Sequence, residues 1–373
     1  MGYANTTPQF GLPQYAPADM PQREDFNKAF KIISENMGKG GNDNLLDNWY
    51  FADPIDQRGG YVTLPNVPYY RADGTQAGTT STYHTVIGKS SNGNSIIEIN
   101  GELYFVSYLY VVRGYVGAGY GIDRWFNGGE KTVLCVNEDY ITLIQTGDVE
   151  ANAWHGQFIE NPQRFKGCRV TASVMYRTSS ACGFQCYSPE GTAAKALPTT
   201  DGKWNVFSLS FVMPNDVTQF RPTVIISKVA GTIDMKAMKL ELGDKQNLAH
   251  QDENGNWVLN DPPPNKQQEL AKCQRYFEVI EHTLCEAVST TRLQGIRYRT
   301  RKRAVPNIKF FPYKSASPFY DTNESGYVSK QSDGSKVAVT GVTLSTEDGF
   351  GQVSGTFVKG DYYYVSAYVD ANL

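Results

Sequence analysis

The chain has 373 residues, and 40% of them are hydrophobic, so it is long enough to form two or three domains with buried cores. Its formal net charge of -3 argues against a general attraction to nucleic acid or to an anionic membrane. Tyrosine (24), phenylalanine (18) and glycine (35) are abundant. Because aromatic residues suit strands and glycine suits turns, the composition predicts a mainly β fold.

Residues 1–44 are predicted to form an extended leader and a short N-terminal helix. Phe26, Phe30 and Ile33 fall on one face of a helix from 21 to 37, and a glycine-rich hinge follows. This apolar face predicts an anchor, either to other copies of the chain or to a docking surface. The leader lacks a basic segment followed by an apolar one, so we expect a protein made in the cytoplasm without a signal peptide.

Short strands and turns fill residues 45–250. Residues 45–51 are predicted to be the first strand, and Asn100-Gly101 predicts a tight hairpin turn between two apolar runs. The β-α-β rhythm of a parallel nucleotide-binding sheet is missing from the sequence pattern. The longest apolar run, 104–112, is too short for a membrane helix, so no membrane insertion is expected. The pattern predicts a β-sandwich or jelly roll.

The predicted run of strands ends at about residue 250. Residues 251–264 are polar, contain three consecutive prolines and are predicted to be a linker. A second helix is predicted from Asn265, a suitable N-cap, to about 280, and a C-terminal β domain is predicted to continue to residue 373. The predicted apolar stripe of this helix comprises Leu270, Cys273, Phe277 and Ile280.

Charged residues flank the aromatic residues of the first predicted strand and of a later aromatic segment around Trp125. Arg58 and Arg124, with Asp56 and Asp123, are predicted to fix strand ends. Charged groups beside core aromatic rings usually satisfy the backbone or each other. We therefore expect a structural role for them and no chemistry.

Five segments occur in one order that resembles a known family: NLLDNWYFADPIDQRGG, YGIDRWF, WHGQFIENPQRFKGCRVTASVMYRT, MKAMKLELG and LAKCQRYFEV. Together they resemble the sugar-binding, galactose-binding-like β-sandwich of bacteriophage tail fibre and receptor-binding proteins. The leader segment FGLPQYAPADMPQREDFNKAF resembles the virion-proximal end of such fibres. The resemblance implies a homotrimer in the virion, attached to other virion proteins through its N-terminus, that recognises a bacterial surface glycan.

One departure from the family concerns residues 61–118, which separate two segments that nearly adjoin in the family. We expect an inserted subdomain there that gives this chain its own specificity. Aromatic faces can stack on sugar rings, so its tyrosines are candidate glycan-binding residues. Taken singly, each of them is typical of an ordinary strand residue, and it is as a cluster on an inserted loop that they predict a recognition surface. The candidates are Tyr69, Tyr70, Tyr83 and Tyr115.

A basic segment, RLQGIRYRTRKR, lies in the C-terminal region. In a strand its alternate residues would share one face, so they are predicted to form an arginine ladder for an anionic ligand or an acidic partner surface. The alternative is a solvated face or an edge that charge protects from aggregation. The four residues are Arg297, Arg299, Arg301 and Arg303.

Motifs for catalysis, metals and cofactors are not found in the sequence. It contains no nucleophile elbow, no HExxH and no phosphate loop. Cys182 and Cys186 are four residues apart without a following histidine partner, which favours free thiols over a metal site. The predicted function is therefore a non-enzymatic receptor-binding fibre with no cofactor, no metal and no nucleic acid. The alternatives are a structural head or baseplate fibre and a component of a glycan depolymerase, since paired carboxylates have no sequence signature.

Overall fold

The computed structural model describes residues 43–90, 92–147, 150–311 and 325–372, together with the backbone of two short strands near the N-terminus. These strands, β1 (Asn5–Thr6) and β2 (Pro13–Gln14), pair in antiparallel fashion. The helix predicted from 21 to 37, with Phe26, Phe30 and Ile33, lies outside the described residues. The structure is mainly β, as predicted.

The predicted insertion contains seven strands. β3 (Tyr61–Thr63) and β9 (Val111–Val116) pair with each other and form the edge of a seven-stranded sheet. Between them lies a separate five-stranded sheet, which we call the inserted sheet, in the order β5-β4-β8-β7-β6. Its strands are β4 (Pro68–Tyr70), β5 (Gln76–Thr79), β6 (Val86–Lys89), β7 (Ser95–Ile99) and β8 (Glu102–Val106), and a 3-10 helix at Tyr108–Tyr110 follows. The inserted sheet therefore occupies only residues 68–106 of the predicted insertion, 61–118.

Eleven further strands complete the central part of the chain. They are β10 (Gly119–Tyr120), β11 (Phe126–Gly128), β12 (Thr132–Val136), β13 (Ile141–Gln145), β14 (Ala153–Gly156), β15 (Arg169–Arg177), β16 (Cys182–Tyr187), β17 (Ala193–Leu197), β18 (Asn205–Val212), β19 (Arg221–Ile226) and β20 (Gly231–Leu242). A short 3-10 helix spans Pro162–Phe165.

These strands form two sheets around one apolar core. The six-stranded sheet has the order β10-β11-β14-β19-β16-β17, and the seven-stranded sheet has the order β18-β15-β20-β13-β12-β9-β3. Phe184 and Val224 of the first sheet and Leu143 and Met235 of the second belong to the same buried cluster. Because each sheet buries one face against the other, the two sheets form one folding unit, which we call the two-sheet domain.

The stretch predicted as a first strand, 45–51, is a bent segment in the structure. Only Tyr50 forms an isolated bridge, to Ala237. Asn48 has a left-handed φ of 52°, and its side-chain Nδ2 donates to the carbonyls of Ile55 and Asp123 at 2.8 and 2.9 Å. The prediction of a strand is wrong here because this asparagine turns the backbone, although neighbouring apolar side chains such as Phe51 still reach the core.

The segment predicted as a linker, 251–264, is partly folded onto the two-sheet domain. β21 (Ala249–Gln251) and β22 (Trp257–Leu259) form a hairpin, and Trp257 packs against the domain core. The buried Lys239 ammonium pairs with the Asp261 carboxylate at 2.7 Å. An apolar indole and a buried ion pair therefore hold the hairpin in place.

One α-helix is present among the described residues, α1 (Lys266–Gln274). The Asn265 side chain accepts hydrogen bonds from the backbone amides of residues 267 and 268 at its N-terminus. The predicted extension to about 280 is wrong, because Phe277 and Ile280 lie in a strand and pair with the last strand of the chain. Cys273 is buried, as the helical stripe requires.

The remaining strands form a closed barrel. They are β23 (Phe277–Ser289), β24 (Arg292–Arg297), β25 (Asn307–Phe311), β26 (Tyr327–Lys330), β27 (Lys336–Thr343), β28 (Gly349–Gly355) and β29 (Tyr362–Asp370). The order β23-β24-β28-β27-β26-β29 closes where β29 pairs with β23, and β25 pairs with β29. Phe310, Phe350 and Val353 belong to its separate apolar core. We call this unit the barrel domain.

Candidate functional site

The six-stranded sheet has an inner face toward the core and an outer face away from it. In β14, Ala153 and His155 are buried, whereas Trp154 between them is half-exposed. In β19, Val224 and Ile226 belong to the core and Arg221 is half-exposed. Because successive side chains of a strand point to opposite faces, Trp154 and Arg221 both lie on the outer face.

Aromatic side chains cover one part of this outer face. The rings of Phe126 and Trp154 are stacked, with centroids 5.2 Å apart and planes 24° apart. Tyr120 meets Phe126 edge-on at 5.2 Å, and Phe158 meets Trp154 edge-on at 6.3 Å. We call the cluster on this face the Trp154 patch, and its members are Tyr120, Phe126, Trp154, Phe158, Tyr187 and Arg221.

The Trp154 indole lies flat against the sheet because its strand neighbour has no side chain. Gly128 pairs with Trp154, and a Cβ at Gly128 would lie only 1.9 Å from the indole Nε1. No other residue type leaves room for the ring in this position. The glycine therefore fixes a rigid aromatic platform on the sheet.

The Arg221 guanidinium is surrounded by aromatic rings. Its carbon lies 3.8 Å from the ring centroid of Trp154, 4.4 Å from that of Tyr187 and 5.1 Å from that of Phe158. Its Nε is buried without a hydrogen-bond partner, and no described residue accepts a hydrogen bond from the guanidinium or pairs with it as a carboxylate. Burial lowers the pKa of Arg221, but a guanidinium remains charged at neutral pH. The patch therefore contains a fixed cation with unused donors.

The outer face continues beyond the patch through Ile225 and the smaller residues Gly183 and Ala196. The strand registers place Gly128, Trp154, Ile225, Gly183 and Ala196 in one row across five strands. At the usual strand spacing this row is about 19 Å long. Gln185 lies in the next row, half-exposed and opposite Ala194. The row forms a shallow floor that is long enough for an extended chain of several small rings.

A cavity adjoins the patch at Phe158. Its volume is about 380 Å³, and the exposed amide side chains of Asn161, Gln163 and Gln219 line it. Amide groups both donate and accept hydrogen bonds, so this edge can bind a ligand with several hydroxyl groups.

The four tyrosines predicted to bind glycan do not form one cluster. Tyr69 and Tyr70 are neighbours on β4, and the Tyr69 ring packs edge-on against Tyr104 at 4.8 Å in the small core of the inserted sheet. Tyr83 packs in a different cluster, against Val62. Sequence spacing alone did not separate these environments, and binding by these residues stays a prediction.

Tyr115 lies apart from the other three. Its hydroxyl donates to the Asp56 carboxylate and accepts the Gly60 N–H at 3.1 Å. Burial raises its pKa well above the usual value. It lines a cavity of about 480 Å³ together with Tyr61 and Tyr368 of the barrel domain. Its hydroxyl is thus already used inside the protein.

The predicted arginine ladder is not present. β24 ends at Arg297, so Arg299, Arg301 and Arg303 lie on an irregular segment. Lys302 between them is buried, where its ammonium contacts the Glu278 carboxylate at 2.5 Å.

Each ladder arginine has its own surroundings in the barrel domain. Arg301 pairs with Glu347 at 2.7 Å, Arg303 with Glu160 at 3.8 Å and Arg299 with Glu278 at 3.9 Å. Arg297 lines a cavity of about 530 Å³ on the barrel. The paired members are therefore not a free basic surface.

The charged residues Arg58 and Asp123 lie at the contact between the two domains. The Arg58 guanidinium is 3.4 Å from the Asp123 carboxylate and stacks on the Phe277 ring at 3.6 Å. Gln57 joins the same contact, because its Nε2 donates to both Asp123 and the Phe277 carbonyl. Burial raises the pKa of Asp123 to about 7. Arg58 and Asp123 therefore connect the two domains, which is a broader role than the predicted one of fixing strand ends.

Among the described residues, no group of three histidine, cysteine, aspartate or glutamate side chains is placed to hold a metal ion. No helix in the described ranges is both long and apolar enough to cross a membrane. All six cysteines are free thiols, and burial raises the pKa of Cys186 to about 12.

No protein-family model matches the sequence, and no curated protein matches it. Among solved structures, BiXyn10A CBM1 is 17% identical with a TM-score of 0.26, covering 34% of this chain and 98% of that one. The family 22 carbohydrate binding module of Clostridium thermocellum Xyn10B is 14% identical with a TM-score of 0.25, covering 32% and 85%. Bacteriophage CBA120 tailspike protein 4 is 14% identical with a TM-score of 0.23, covering 35% and 18%. Each similarity extends over about one third of this chain.

Proposed function

We propose that this protein binds a glycan without cleaving it, and that the Trp154 patch holds the glycan. The observation that carries the proposal is the Trp154–Arg221 pair: an indole fixed flat on the outer face beside a guanidinium with unused donors. A sugar ring has a C–H face that packs on an aromatic ring and hydroxyl groups that accept hydrogen bonds. The two kinds of group are adjacent in the patch.

The shape of the outer face supports an extended ligand. The floor of small side chains beside Trp154 is open, and the amides of the adjoining cavity are exposed. Sheet strands hold five of the six patch residues, all except Phe158, so little conformational freedom is lost when a ligand binds. None of the six patch residues is a carboxylate, which supports binding over glycoside hydrolysis, because that reaction uses two carboxyl groups.

We also propose that the protein is a bacteriophage virion fibre or receptor-binding protein. The five sequence segments that occur in one order, together with the leader segment, support this role because they resemble that family. In this role the chain is a homotrimer in the virion, residues 1–44 attach it to other virion proteins, and the glycan belongs to a bacterial surface. Three copies of a weak site would raise the avidity for a repeating polysaccharide.

The glycan-binding proposal is tested with the labelled full-length protein on an array of bacterial polysaccharides, followed by calorimetric titration of the best oligosaccharide. We expect Trp154→Ala to weaken binding at least tenfold and Tyr187→Ala several-fold. Tyr362→Ala removes a tyrosine that is 45% exposed on the barrel domain, and it should leave binding unchanged. Thermal unfolding verifies that each variant is folded. A folded Trp154→Ala protein with wild-type affinity would disprove the proposal.

The oligomer proposal has a separate test. Sedimentation equilibrium at micromolar concentration should give three times the chain mass of 41.5 kDa. Removal of the residues before Asn44 should leave folded protein that no longer joins particles. A monomeric full-length protein, or a truncated one that still joins particles, would contradict this part of the proposal.

A further inference from the structure

We infer that the Trp154 patch selects acidic glycans, and that Arg221 binds the carboxylate or phosphate of the ligand. This inference rests on the proposed function, since it names the class of glycan that the same patch takes. It goes beyond that proposal because an aromatic platform alone binds neutral and acidic sugars alike.

The first argument is the uncompensated charge of Arg221. A charge that is partly removed from water is unfavourable unless an opposite charge or hydrogen bonds compensate it. The rings of Trp154 and Tyr187 supply some cation–π stabilisation. They cannot accept the hydrogen bonds of the guanidinium, and its Nε is buried without an acceptor. A ligand anion would supply what is missing.

A second arginine in the same domain provides a comparison. Arg177 also lies among aromatic rings, 4.6 Å from the centroid of Tyr140 and 4.8 Å from that of Trp204. At that site a carboxylate completes the arrangement, because Arg177 Nε donates to Asp234 at 2.7 Å. Arg221 has the aromatic surroundings without the carboxylate. A carboxylate beside Arg221 would complete its site as Asp234 completes that of Arg177.

Carboxylates near the patch are bound to other groups. Glu190 accepts hydrogen bonds from the hydroxyls of Ser188 and Thr218, which lower its pKa to about 2. Glu160 accepts from the Arg275 guanidinium at 2.9 Å and from the Tyr276 hydroxyl at 2.6 Å. Neither carboxylate pairs with Arg221, so neither would compete with the anion of a bound ligand.

The geometry of the guanidinium defines the chemical class of the ligand. Two parallel N–H groups match the two oxygens of a carboxylate or of a phosphate. In a glycan these oxygens come from a uronic-acid-type sugar or from a phosphate that links or decorates the sugars. Both are sugar-bound anions beside a ring that can pack on the aromatic side chains of the patch.

The test uses the full-length protein and three probes: an oligouronate, the methyl ester of the same oligouronate, and a phosphate-linked sugar polymer. The ester differs from the acid only in lacking the charge. We expect the acid to bind about tenfold more tightly than the ester, and the difference to shrink as salt is added. Binding of the phosphate polymer would identify the second source of the same chemistry.

Substitutions assign the effect to Arg221. Arg221→Gln should abolish the preference for acid over ester, and Arg221→Lys should retain part of it. Arg169→Gln removes an exposed arginine from the other sheet, so it controls for net charge and should keep the full preference. Equal affinity for acid and ester, with binding still lost in Trp154→Ala, would overturn this inference alone. Failure of every neutral and acidic probe to bind would overturn both this inference and the proposed function.

Discussion

The guanidinium carbon of Arg124 lies 3.4 Å from the ring centroid of Tyr276. Arg124 belongs to the two-sheet domain and Tyr276 to the short segment between α1 and the barrel domain. Arg124 is buried, and it also reaches the Asp47 carboxylate at 3.2 Å and the Phe158 carbonyl at 3.1 Å. Tyr276 in turn donates its hydroxyl to Glu160 at 2.6 Å. These contacts hold the two domains together around one stacked pair.

We expect Arg124→Ala to lower the free energy of unfolding by about 2 kcal/mol, because it removes a buried stacking contact and an ion pair. The two domains should then unfold in separate calorimetric transitions. Arg164→Ala is the matched control: Arg164 is exposed beside the same contact, so its loss should change stability by less than about 0.5 kcal/mol. A single, unshifted transition in Arg124→Ala would show that other contacts determine the docking.

The buried carboxyl of Asp123 predicts a pH dependence of stability. Burial raises its folded-state pKa from 3.8 to about 7. Between these two values the folded state holds a proton that the unfolded state has lost. This group therefore makes unfolding easier as the pH rises from about 4 to 7, by up to about 1.4 kcal/mol per pH unit. Above pH 7 its contribution stays constant.

The measurement is the difference in unfolding free energy between the wild type and Asp123→Asn at several pH values. Other carboxylates titrate in both proteins, so the difference isolates Asp123. We expect the unfolding free energy of the wild type to fall relative to that of Asp123→Asn as the pH rises toward 7. A difference that is independent of pH would mean that Arg58 keeps the carboxyl ionised in the folded protein.

The sequence correctly predicted the features that depend only on residues close together in the chain. Asn100-Gly101 forms the turn between β7 and β8 with φ values of 53° and 83°, as expected of a type I′ hairpin. Asn265 caps α1 because a cap needs only the next three residues. The apolar stripe to 280 was misleading, because pairing with β29 decides the structure from Phe277 onward.

The Trp154 patch was not predictable, because it depends on pairing between distant segments. Trp154, Tyr187 and Arg221 come from three strands, and only the sheet order brings their side chains together. No local pattern marks Arg221 as an arginine without a carboxylate. The predicted ladder required β24 to continue past Arg297, but its pairing with β28 ends at Arg297 and Gly349.

Two ion pairs in the barrel domain should differ strongly in their contribution to stability. Lys302 and Glu278 are both buried, whereas Arg301 and Glu347 lie at the surface. Glu278→Gln leaves a buried ammonium without its counter-ion and should cost about 3 to 5 kcal/mol. Arg301→Gln should cost much less, because water screens an exposed pair. Chemical denaturation of both variants measures this contrast, and equal losses would contradict the buried placement of Lys302.

The chain leaves the two-sheet domain for the inserted sheet and returns to it at nearly the same point. The Leu64 amide donates to the Tyr110 carbonyl at 2.8 Å, so a short glycine bridge can replace residues 65–109. β3 and β9 remain in this deletion and keep the edge of the seven-stranded sheet. The deletion removes Tyr83 from the apolar cluster that contains Val62 and Val133, so the protein should unfold cooperatively at a lower temperature. Its affinity for a short oligosaccharide should stay within twofold of the wild type, because the Trp154 patch lies on the six-stranded sheet.

A folded deletion that binds this probe much more weakly would return the binding role to the inserted tyrosines, Tyr69 and Tyr70 first among them. Loss of the cooperative transition would show that the inserted sheet is part of the folding unit.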